Sequence, residues 1–182
     1  MAESTLSLFN NARLWRALYW SFAALVLLVP GLATIFAGFM GWSASDFVFA
    51  GVLTGLTGLV LEVALRTSRD FAYRMAVGVA LAAAFLLIWI NAAVGIIDGE
   101  GNPANLMFAG VLAVALVGSL VARLRARDMA MAMMVTAGAQ ALVFAIAAAT
   151  GQGFIPIVTM FWCALWLGSA ALFARAARAE VA

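Results

Sequence analysis

Six long apolar stretches run through this chain, at about residues 17–39, 47–65, 72–97, 104–122, 129–149 and 154–174. A helix that crosses a bilayer needs roughly 20 apolar residues, because the hydrocarbon core is about 30 Å thick. Each stretch meets that length within the uncertainty of its boundaries. The pattern therefore predicts an all-α, polytopic membrane helical bundle with six transmembrane helices. The first stretch is longer than the roughly 7–15 apolar residues of a signal peptide, and no convincing cleavage site precedes Trp42, so it is read as a helix.

Polar punctuation supports the boundaries. Ser43-Ala-Ser45-Asp46 is a capping signature for the second helix, and Asn102-Pro103 reads as N-cap and first helical residue of the fourth. Pro156 falls in the first turn of the sixth, where a missing N–H is harmless. Pro30 lies inside the first helix, where it removes a backbone hydrogen bond and predicts a kink. Trp15, Tyr19 and Trp20 flank one end of that helix and Trp42 the other, as aromatic belts do.

All ten basic residues are arginines in four clusters: Arg13/Arg16, Arg66/Arg69/Arg74, Arg123/Arg125/Arg127 and Arg175/Arg178. The intervening turns, at 41–46, 98–105 and 150–153, carry none. This alternation predicts both termini in the cytoplasm by the positive-inside rule. It also explains the net charge of +2 as topology rather than as a nucleic-acid surface. A single transmembrane domain over residues 1–182 is expected, with residues 1–16 as a cytoplasmic N-terminal segment.

An internal repeat is a further reading. Phe-Ala-Gly-Val-Leu occurs at 49–53 and again at 108–112, preceded by Asp46 and Asn105 at matching positions. Arg66, Arg69 and Asp70 resemble Arg125, Arg127 and Asp128, and Gly118-Ser119 resembles Gly168-Ser169. Three parallel hairpins of common ancestry would produce these matches; so would chance among Ala/Gly/Leu/Val-rich helices. Gly51-x-x-x-Gly55, with the small-residue surroundings of Gly78/Ala82, Ala80/Ala84 and Gly138/Leu142, predicts close helix packing, within the bundle or between subunits.

Composition excludes more than it identifies. With 67% hydrophobic and 10% charged residues, the chain is unlike a soluble domain, where about a quarter are charged. The absence of lysine rules out a retinal Schiff base. The absence of histidine removes the usual haem b ligation and the commonest metal ligand. Cys163 is the sole cysteine and can form no intrachain disulfide. No nucleophile–base pair can be assembled, so no enzyme, cofactor or metal site is expected.

Glu62 is the one acid inside an apolar run, which makes it a functional suspect. An i,i+4 pair with Arg66 explains it without transport. Asn91 and Gln140 lie within the third and fifth helices, where an amide must find partners; they are read as polar glue between those helices or as lining of a path. Thr54 and Thr57 can bond to the preceding turn. The turn Asp98-Gly-Glu100-Gly-Asn102-Pro-Ala-Asn105 is oxygen-rich but matches no EF-hand spacing, so it is read as a capped, solvated turn. Met129, Met131, Met133 and Met134 are adaptable packing. Arg123, Arg125 and Arg127 are candidate contacts for anionic lipid headgroups.

The segments 42–47, 72–74, 77–85, 89–98 and 100–107, above all Asn102-Pro-Ala-Asn105-Leu-Met107, resemble a group of bacterial six-helix inner-membrane proteins to which no activity is assigned. The resemblance covers about residues 42–145 and is looser beyond. It implies a bacterial inner-membrane setting and transfers no site residue. Two functional readings follow. One is a structural or accessory membrane subunit, as a homo-oligomer or within a larger complex. The other is a small channel or permease with a polar path past Glu62, Asn91 and Gln140.

Overall fold

The computed structural model describes residues 12–37, 41–99, 101–152 and 155–180. Among them are six long α-helices and no strand. They are α1 (Ala12–Leu32), α2 (Ala44–Thr67), α3 (Phe71–Val94), α4 (Met107–Val121), α5 (Ala126–Ala149) and α6 (Pro156–Ala179). All six are long and apolar enough to cross a membrane, α1 together with the turns that follow it and α4 with the turn before it. Many large apolar side chains point outward, among them Leu56, Leu59, Leu116, Leu120, Ile157 and Met160. In water such a surface would drive association; in lipid it is the solvated face.

Helix ends follow local chemistry. Ser43 and Asp46 form a complete capping box at α2: each side chain binds the other residue's backbone N–H. Asp70 caps α3 by accepting from the Tyr73 N–H. Asn102 caps a short 3-10 turn, Pro103–Leu106, and α4 proper begins only at Met107. The expected start near residue 104 is thus a tighter-wound prelude. Pro30 lies within α1, and the chain then rewinds as a π-helical segment, Ala33–Ala37. The expected ends of the first helix at 39 and the start of the sixth at 154 lie outside the described residues, as does Glu100.

The chain divides into two compact units, Met1–Arg69 and Asp70–Ala182. In the first, α1 and α2 form an antiparallel hairpin. Arg16 meets Glu62, Tyr19 meets Gly58, and Gly31 meets Phe47, so each step forward on α1 is a step back on α2. The buried stripe of α2 is Ala50, Leu53/Thr54, Gly58, Leu61 and Ala64/Leu65, at the three- and four-residue spacing of one helix face. The close approach is made at Gly58. A Cβ there would lie 2.7 Å from Tyr19 and 3.2 Å from Trp20, whereas Gly51 and Gly55 have nothing within 4 Å. The Gly51-x-x-x-Gly55 pattern is therefore not what seats α1.

In the second unit, α6 packs on both α3 and α5, and α4 packs on α5. Three contacts in step set α3 antiparallel to α6. The Tyr73 and Phe173 rings meet edge to face at 5.2 Å. The Ser169 hydroxyl donates to Ala76 O (2.8 Å), and Trp162 Nε1 to Ala83 O (3.0 Å). Gly118 sits against Ala132, where an added Cβ would come within 3.0 Å of the Ala132 Cβ. The matched repeat segments open differently: Asp46 completes an exposed capping box, while Asn105 is buried.

Gly58→Ala should destabilise the α1–α2 hairpin by about 1–3 kcal/mol through overpacking, because Tyr19 is held by a hydrogen bond to Thr54 O and cannot swing aside freely. Gly55→Ala should be neutral or slightly stabilising. Thermal unfolding of the two variants in detergent checks the difference.

Candidate functional site

The polar side chains inside the helices separate into three groups with different degrees of satisfaction. The first is centred on Glu62. Arg16 reaches it from α1 with two parallel bonds, Nε to Oε2 at 2.6 Å and Nη2 to Oε1 at 2.7 Å. Arg66, one turn along α2, adds Nε to Oε1 at 2.8 Å. The i,i+4 pair forms, and a bidentate clamp from 46 residues away joins it. Both carboxylate oxygens are engaged, and the bidentate geometry is the strong form of such a contact.

Asn105 holds the second group together. Only 6% exposed, its carboxamide is a hub for the turn between α3 and α4. Oδ1 accepts from the backbone N–H of Ile96 (3.0 Å) and of Ile97 (2.8 Å). Nδ2 donates to Ile97 O (3.2 Å) and Gly99 O (2.7 Å). Asn91 in α3 joins by donating to the Asn105 backbone carbonyl at 3.3 Å. The turn begins at Gly95, whose φ of +66° only glycine adopts at low cost. Asn91 thus ties α3 to the 3-10 turn ahead of α4. The Asn102 carboxamide oxygen, too, is committed to a backbone N–H, that of Ala104. Sequence reading treated this segment as a solvated turn and missed the burial of Asn105.

The third group lies where α5 meets α6. Gln140 is fully buried, and neither its amide nitrogen nor its oxygen has a hydrogen-bond partner among the described residues. It continues a stripe of Met129, Met133, Thr136, Ala137 and Val143 on the buried face of α5. Cys163 of α6 lies against Ala137 O at 3.5 Å. From that contact Gln140 is three residues further along α5, and Thr159 four residues back along antiparallel α6. At about 1.5 Å per residue the two side chains share one depth. The Thr159 hydroxyl and the Trp166 indole N–H, both buried, likewise lack a partner. Thr159 and Trp166 were not singled out from sequence; the only signal was their spacing on α6.

Asn91 and Gln140 do not pair with each other, and Glu62 belongs to the other unit. What distinguishes Gln140 is energetic. A buried polar group without a partner costs about 1–3 kcal/mol, whereas Thr54, Thr57 and Thr136 each bond to a carbonyl of the preceding turn. The arrangement at Gln140 can donate two hydrogen bonds and accept others within a bundle whose buried face is mostly apolar. Among the described residues no cluster of three or more His, Cys, Asp or Glu could hold a metal.

The groups should respond to mutation in opposite directions. Asn105→Ala removes a hub with four bonds and should cost more than about 2 kcal/mol. Gln140→Leu removes two unsatisfied groups and should leave stability unchanged or raise it by up to about 2 kcal/mol. Equilibrium unfolding in mixed micelles reads both. No family model, curated protein or solved structure matches this chain.

Proposed function

We propose that this multi-pass integral membrane protein is a structural or accessory subunit of a bacterial inner membrane, with both termini in the cytoplasm. The observation that carries the reading is the state of Glu62. A carboxylate that relays protons or admits cations must exchange partners during its cycle. Glu62 is instead held through both oxygens by two arginines, one of them bidentate. Its role is to lock the α1–α2 hairpin at its arginine-bearing end. Ser169 and Trp162 likewise spend their polar atoms on joining elements of the second unit, and Asn91 spends its amide nitrogen in the same way.

Each unit, taken by itself, has its arginines at one end. In the first these are Arg13, Arg16, Arg66 and Arg69; in the second they are Arg74, the arginines of the α4–α5 turn and those at the end of α6. The positive-inside rule favours placing those ends in the cytoplasm.

A second reading, a small channel or permease, is favoured by Gln140 and Thr159, two buried polar side chains at one depth with unengaged atoms. Intramembrane polar residues that do not serve packing mark solute paths in many membrane proteins. Purified protein in liposomes loaded with pH- and cation-sensitive dyes separates the two. An accessory subunit should show flux no greater than empty liposomes. Flux above that background, abolished by Gln140→Leu in a folded variant, would establish the second reading instead.

A further inference from the structure

An open apolar groove of about 460 Å³ runs between α4 and α5 at the arginine-bearing end of the second unit. Val114, Gly118 and Val121 line one wall and Met131 and Val135 the other, with Asp128 at its end. The walls are not spent on internal packing: Val121 is 76% exposed, Met131 59% and Val135 54%. Its floor is shaped by the close seating of Gly118 on Ala132, where the absence of a side chain leaves a furrow between the two backbones. From Ala122 to Val114 is eight residues, about 12 Å along the helix. That is close to the depth of one leaflet, half of an approximately 30 Å hydrocarbon core.

At the mouth of the groove is the turn that carries Arg123, Arg125 and Arg127. All three are exposed, and none is ion-paired among the described residues. Arg16 and Arg66, by contrast, are taken up by Glu62. The turn has a defined shape. Arg123 and Leu124 are both left-handed, with φ of 48° and 60°, a conformation that non-glycine residues adopt only when held. Tyr73 of α3, 1% exposed, supplies a hold by donating its hydroxyl to Leu124 O at 2.9 Å. Tyr73 is itself fixed by its edge-to-face contact with Phe173.

From this juxtaposition we infer that the α4–α5 groove binds one anionic phospholipid, an acyl chain lying between the helices and the phosphate resting on the arginines of the turn. An apolar furrow of leaflet depth matches the chain. Three unspent guanidinium groups at its mouth match the phosphate, which guanidinium forks recognise well. Asp128 at the same end repels a bare phosphate but accepts from a headgroup hydroxyl, so a glycerol headgroup fits better than a doubly charged phosphomonoester. The site requires the bilayer setting, and it holds whether the protein is an accessory subunit or a permease.

Native mass spectrometry of the full chain tests this, with release from micelles doped with phosphatidylglycerol or, separately, phosphatidylcholine. The wild-type protein should retain one phosphatidylglycerol per chain and prefer it to phosphatidylcholine. Replacing Arg123, Arg125 and Arg127 together by Gln should weaken that preference by roughly 100-fold, since each arginine near a lipid surface contributes about fivefold. Those changes also alter topology signals, so a second variant is needed. Val135→Trp keeps every charge and fills the groove; it should lose the retained lipid while unfolding at the same temperature as the wild type. Equal retention of both lipids, or undiminished retention by Val135→Trp, would overturn the site. So would a dimer that Val135→Trp splits into lipid-free monomers, because the groove would then belong to a second copy.

Discussion

In hydrocarbon a backbone N–H or C=O without a partner costs several kcal/mol, and no water is present to supply one. That constraint organises this protein from the single residue upward. It makes every apolar stretch a helix, because only a helix satisfies its own backbone along its length. It sends Thr54, Thr57, Ser119 and Thr136 back onto carbonyls of their own helices. It also turns two further donors into cross-links: the Ser169 hydroxyl and the Trp162 indole each find a carbonyl on α3, close to where helix backbones pass one another. Without a hydrophobic drive between helices in lipid, such bonds and close backbone approaches at Gly58 and Gly118 set the packing.

Under the same constraint, three polar side chains have three different outcomes. Glu62 is saturated by charge, with Arg16 bonded to both of its oxygens and Arg66 to one of them. Asn105 is saturated by backbone, replacing the hydrogen bonds that the chain loses where it leaves α3. Gln140 is saturated by nothing within the described residues. The first two explain how the hairpin and the α3–α4 turn hold their shape. The third departs from the rule that buried polar groups are paired, and such departures concentrate at functional positions.

The run of six membrane-length helices was legible in the sequence, and their lateral arrangement was not. Six apolar runs, the Ser43–Asp46 box and the Asn102-Pro103 signal carry local physics that acts within a few residues, so they could be read directly. The Arg66–Glu62 pair is of the same kind. The Arg16–Glu62 clamp spans 46 residues, and α3 pairs with α6 rather than chiefly with its chain neighbour. Neither follows from periodicity, because α2, α4 and α5 are apolar on nearly every side and show no face that must turn inward. For the same reason the Gly51-x-x-x-Gly55 pattern pointed to close packing without identifying Gly58 as the contact. Asn105 looked like any turn residue, since its burial depends on how Ile96 and Ile97 fold back over it. Gln140 was visible as an anomaly, but its lack of a partner was a matter of three-dimensional neighbours.

Site-directed labelling with a membrane-impermeant thiol reagent tests the membrane account most directly, using single cysteines introduced in a Cys163→Ser background. Gly41→Cys and Gly101→Cys lie at the ends without arginine, and Thr67→Cys and Ala179→Cys at the arginine-bearing ends. In intact cells the first two should react from outside, and the other two only after the membrane is permeabilised. Reaction of Gly101→Cys and Ala179→Cys from the same side would contradict it, because α4, α5 and α6 could not then cross the bilayer between them.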